Sequence, residues 1–98
     1  MPYISQEERK AYEPFRIFLK DMPELPNKGH LEYLVYLLML KFMSTRPQKY
    51  GTLHEVVYAV AHCSDEYRRR FLDKREDEAR ESNGDIYDTI YLNEENKD

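Results

Sequence analysis

The chain is short of almost every residue type that signals chemistry. It has one cysteine, Cys63, which excludes an internal disulfide and a thiolate cage around a metal. Its three glycines, Gly29, Gly51 and Gly84, cannot build a glycine-rich phosphate loop, and no nucleophile elbow occurs. Tryptophan is missing, so nine tyrosines and four phenylalanines supply all the aromatic surface. The net charge is −4, and Arg68-Arg69-Arg70, flanked by acids, fans over about 200° of a helix, which argues against general nucleic-acid binding, because neutralising phosphates requires a basic face. The longest apolar run, Leu31–Met43, has thirteen residues, short of the ~20 that a membrane span requires. Nor does the N-terminus read as a charged-then-apolar secretory leader. These absences together point to a cytoplasmic protein.

What the chain does have is that run itself. Between Leu31 and Met43 only Glu32 and Lys41 are charged. A surface helix carries one apolar stripe, whereas this one is apolar nearly all round and calls for cover by neighbouring elements or by a second copy of the protein. Ninety-eight residues make one domain with one modest core, burying roughly 60–68% of the surface of the unfolded chain. Oligomerisation is therefore expected. The charge is uneven: residues 1–72 hold nine acids and eleven bases, and residues 73–98 hold ten acids and four bases.

Helix signals recur along the chain. Ser5 and Glu8 stand at capping-box spacing, and Pro14 separates a short turn over 5–12 from a second piece ending near Asp21. Phe15, Phe18, Leu19 and Met22 give that piece an apolar stripe. Pro23 and Pro26 mark a connector. The central helix starts at Asn27 or Gly29 and ends near Ser44. Thr52, with Glu55 three residues on, is expected to cap a long C-terminal helix. Leu53, Val56, Val57, Val60, Tyr67 and Phe71 form its apolar stripe, expected to pack on the central helix, with Cys63 buried and inert beside it. Beyond Leu72 the helix is polar on every side, held by pairs such as Glu76–Arg80, and Asn83-Gly84 ends it. Asp85–Leu92 alternates as a strand does, and residues 93–98 read as a disordered acidic tail. The expectation is an all-α fold: a small three-to-four-helix domain over residues 1–92, with a central apolar helix, a long C-terminal helix and an extended strand-like tail.

Several motifs occur in a recognisable order. They are Met1-Pro2-Tyr3-Ile4 with Gln6-Glu7 and Arg9, then Gly29-His30-Leu31-Glu32-Tyr33, Glu66-Tyr67-Arg68-Arg69-Arg70, Arg75-Glu76-Asp77, and Asn83-Gly84-Asp85-Ile86-Tyr87. In that order the chain resembles a family of small prokaryotic and phage-encoded proteins known only as a domain of unknown function. That family begins Pro-x-Ile-x-Gln-Glu-x-Arg and closes with an acidic helix ending Glu-Asn-Gly-Asp-Val-Tyr. The likeness covers nearly the whole chain up to Tyr87, although Ser82 stands where the family often has Glu. It implies a helical fold and a phage or prophage setting, and carries over no catalytic residue.

Candidate site residues are few. On a helical wheel Tyr58, His62, Glu66, Arg69 and Asp73 fall within about 80° of one another. His62 and Glu66 have the spacing of a metal pair, but Tyr58 stands where a second histidine of His-Glu-x-x-His belongs, and a solvated face with Asp65–Arg69 and Glu66–Arg70 pairs is the plainer reading. Arg69, Arg70 and Lys74 match an anionic small molecule such as a nucleotide. Tyr87 and Tyr91 suit a partner surface. The expected function is a non-enzymatic interaction or adaptor protein, phage- or prophage-related, acting as a small homo-oligomer on a protein partner in the bacterial cytoplasm, without cofactor. An anion-binding helical oligomer is the alternative, and a metal-dependent hydrolase using His62 and Glu66 is a third reading.

Overall fold

Ser5 starts the first helical turn. Its hydroxyl accepts from the Glu8 amide at 3.1 Å, and the Glu8 carboxylate accepts from the Ser5 amide at 3.3 Å. This reciprocal cap satisfies two of the backbone donors that a helix start leaves open. The computed structural model describes residues 2–86. In it α1 (Gln6–Arg9) tightens into a 3₁₀ turn, Lys10–Tyr12, before α2 (Glu13–Asp21). Pro14 occupies the first turn of α2, where its missing N–H costs nothing.

Asn27 caps α3 (Lys28–Met43), its side chain accepting from the Gly29 amide at 3.0 Å. At the other end of α3 the Arg46 guanidinium lies 3.7 Å from the centroid of the Phe42 ring and donates to the Phe42 carbonyl, setting a cation at the negative end of the helix. α4 (Tyr50–Tyr67) begins two residues before the expected Thr52 cap. The Thr52 hydroxyl turns back to the carbonyls of Pro47 and Lys49 and accepts from the Lys49 amide, so it fastens the preceding loop and does not pair with Glu55. Next comes a five-residue π-helical turn, Arg68–Leu72, in which the Asp73 amide donates to the Arg68 carbonyl. α5 (Asp73–Asn83) ends at Gly84, whose φ of +92° is open to glycine and strained for other residues, and whose amide donates to the Arg80 carbonyl at 2.8 Å. No strand occurs among the described residues. The fold is all-α.

Of the expected strand, Asp85 has no regular structure and Ile86 is a bend. The rest of it, with Tyr87, Tyr91 and the acidic end 93–98, lies outside the described residues. By its internal contacts the chain divides into two compact units, residues 1–63 and residues 64–98.

Burial departs most from expectation. Among the described residues Val56 alone is buried, at 7% exposure. Leu34, Val35, Met39, Phe42 and Met43 are half-buried along one flank of α3, as is Val60 on α4. Leu31, Tyr33, Tyr36, Leu37, Leu38 and Leu40 on α3 are exposed, and so are Leu53 and Val57 on α4. Cys63, expected to be buried, is exposed as well. Among the described residues the central helix is therefore not covered on all sides. At ~1.5 Å per residue α3 is about 24 Å long and the nine residues of α2 reach only about 13 Å, while α4 is long enough but leaves Leu53 and Val57 exposed.

Candidate functional site

Unit 1 holds two surfaces of interest. The first is a groove of about 450 Å³ with α2 on one side and α3 on the other. Phe15, Phe18 and Leu19 form the α2 wall, Met22 and Leu25 of the connector close one end, and Leu31, Leu34 and Leu38 line the α3 wall. Every lining side chain is apolar, and Phe18, the most exposed apolar side chain of α2, keeps 63% of its surface in water. Small-molecule sites of this volume set a few polar groups among apolar ones to orient the ligand. This groove has none.

The second surface is a ladder of rings on α4. Tyr50, His54, Tyr58 and His62 recur every four residues, so adjacent members meet on one helix face. Their centroids are 4.8, 4.5 and 6.4 Å apart in turn, and the Tyr50 hydroxyl lies 3.2 Å from His54 Nε2. Of the expected site residues, Tyr58 and His62 belong here. His54 shares their four-residue spacing in the sequence, and Tyr50 is the addition that the structure makes, legible once the helix is allowed to start before Thr52.

Unit 2 brings Glu66, Arg69 and Arg70 together. The Glu66 carboxylate accepts from Arg69 at 2.6 and 3.2 Å and from Arg70 at 3.1 Å, and its side chain is 11% exposed. Arg68 pairs with Asp65 at 2.6 Å. The expected Asp65–Arg69 pair gives way to these, because Glu66 takes both following arginines. In α5 the salt bridge to Arg80 comes from Asp77 at 3.6 Å, where Glu76 was expected. Asp73 and Lys74 open α5, past the π turn. Such a turn adds one residue to the ring closed by each hydrogen bond, which rotates the next helical segment by about 100° relative to an unbroken α-helix. A wheel that puts Asp73 on the Glu66 face assumes regular rotation, and the π turn removes that condition.

Glu66 is engaged by two cations, and among the described residues no three His, Cys, Asp or Glu side chains gather as metal ligands. One carboxyl has a clear electrostatic signature. The Arg16 guanidinium, hydrogen-bonded to Glu13 at 3.1 Å, holds the Glu13 carboxyl below the usual carboxylate range. That pair sits in the open at the start of α2 and serves the helix. No helix among the described residues is long and apolar enough to cross a membrane.

Fold and surfaces define a small all-α protein whose most distinctive feature is uncovered apolar surface. A family model described as a domain of unknown function, DUF6899, matches residues 1–86, and the chain belongs to that family. No curated protein and no solved structure matches it.

Proposed function

We propose that this protein is a non-enzymatic interaction protein that acts through protein–protein contacts as a small oligomer, in an adaptor role. The observation that carries the reading is the exposure of α3. A thirteen-residue apolar run lies with Leu31, Tyr33, Tyr36, Leu37, Leu38 and Leu40 in water, and among the described residues only Val56 is buried. Contiguous apolar surface on this scale marks a place where another protein sits. Each half-exposed leucine transferred out of water contributes about 1 kcal/mol, so association and folding support each other in this chain.

The phage or prophage setting and the bacterial cytoplasm implied by the family resemblance belong to the same proposal. Capture of an anion by Arg69, Arg70 and Lys74 is less well supported, because Glu66 already engages the two guanidinium groups. Sedimentation equilibrium of the purified chain between 1 and 100 μM tests the reading. A mass of two or more chains is expected. A folded monomer throughout that range would refute it.

A further inference from the structure

We propose that the α2–α3 groove is the seat of a second copy of this chain, the two copies pairing α2 and α3 about a two-fold axis with Phe18 of each filling the groove of the other. The inference rests on the oligomer reading above and assigns its surface and its occupant.

Three observations select the occupant. First, the lining contains no polar side chain, so the occupant needs neither charge nor hydrogen-bonding groups. That excludes recognition of the kind a small polar ligand requires and fits the packing of one core against another. Second, the area is sufficient. Phe15, Phe18, Leu19, Leu31, Leu37 and Leu38 on the two helices are all 42–63% exposed. At very roughly 80–100 Å² apiece they offer about 500–600 Å² per chain, or about 1,000–1,200 Å² for two copies, which reaches the ~1,000 Å² expected of a biological interface. Third, the surface is self-complementary. Phe18 lines the groove and still keeps 63% of its surface exposed, so one patch offers both a side chain to insert and a groove to receive it, as a two-fold pairing demands of identical chains. A partner needed to complete so slight a core must be present whenever the chain is made, and a second copy always is.

The test uses full-length protein. Phe18→Glu and Leu38→Glu each place a carboxylate in the paired groove of both copies and are expected to weaken self-association at least 100-fold by sedimentation. Tyr58→Glu, on the ring ladder, leaves association unchanged. Because a charged variant can fail to fold, single cysteines report independently. In a Cys63→Ser background, Phe18→Cys and Leu38→Cys should give covalent dimers with a short bismaleimide, whereas Tyr58→Cys should not. An oligomer that survives both glutamate variants and cross-links only through Tyr58→Cys would overturn this assignment and leave the oligomer reading standing. A wild-type chain that is monomeric at every concentration would remove both. Association that appears only after residues 87–98 are deleted would mean that the chain's own end fills the groove, and would also overturn the proposal.

Discussion

Dilution is the most direct perturbation of a protein whose folding and association are coupled. For a two-copy assembly unfolding to separate chains, a hundredfold dilution changes the balance by about 2.7 kcal/mol, the same mass-action term that describes ligand at 100 times its dissociation constant. Two chains of 98 residues have an unfolding entropy of about 0.4 kcal/mol/K. The melting temperature should therefore fall by roughly 6–7 °C between 100 and 1 μM. The structure supplies the reason for the coupling. With Val56 alone buried among the described residues and the flank of α3 in water, little of the apolar burial that stabilises a domain is available within one chain. Circular dichroism at 222 nm in cells of different path length measures the shift without changing the buffer. A melting temperature that stays constant to within a degree across that range, with a cooperative transition, would refute the coupling and the packing argument beneath it.

Three other predictions are local. The Glu13 carboxyl, held low by the Arg16 hydrogen bond, should titrate by NMR below a free glutamate. Since its folded pKa lies below its unfolded one, the support it gives α2 is complete above the unfolded value and is lost as pH falls through the folded value. Arg16→Gln should return the midpoint to the ordinary range, and an unmoved midpoint would show that the pair is not formed. Glu66→Gln removes the charge that holds Arg69 and Arg70 and should lower the stability of the helix around it by about 1 kcal/mol, read as faster amide exchange over Tyr67–Leu72; unchanged exchange would mean that the cluster contributes nothing. Gly84→Ala forces a side chain onto a φ of +92° and should cost about 1–2 kcal/mol at the end of α5. The Gly84 amide bonded to Arg80 is the probe, and retained protection there would contradict the backbone geometry.

Local features are legible because their causes are local. Ser5 with Glu8, Asn27 before the apolar run, Pro14 in a first turn and Asn83-Gly84 at an end each act through backbone groups within a few residues. The sequence misplaces the start of α4 because the Thr52 hydroxyl serves a cap and a loop equally well, and the Pro47 carbonyl decides between them. It places Arg70 on Glu66 as found but assigns Arg69 to Asp65, where the structure pairs Arg69 with Glu66 as well. Cys63 reads as a core residue because its neighbours Val60 and Tyr67 are apolar, but a pattern of apolar positions states which face seeks cover, not whether the chain has anything to lay against it. The groove is hidden for the same reason. Phe15, Phe18, Leu19 and Met22 read as a stripe, and no periodicity shows that it meets the apolar side chains of α3 across an open groove.

The widened turn at Arg68–Leu72 gives the chain one residue more than a straight α-helix would use there. Excising any one of those five would let the ladder of backbone bonds close in ordinary steps. The Asp73–Asn83 rod would keep its own bonds and swing its acidic flank through about 100° around its long axis relative to Glu66. A single codon thus governs the heading of that flank, independently of what any side chain on it prefers.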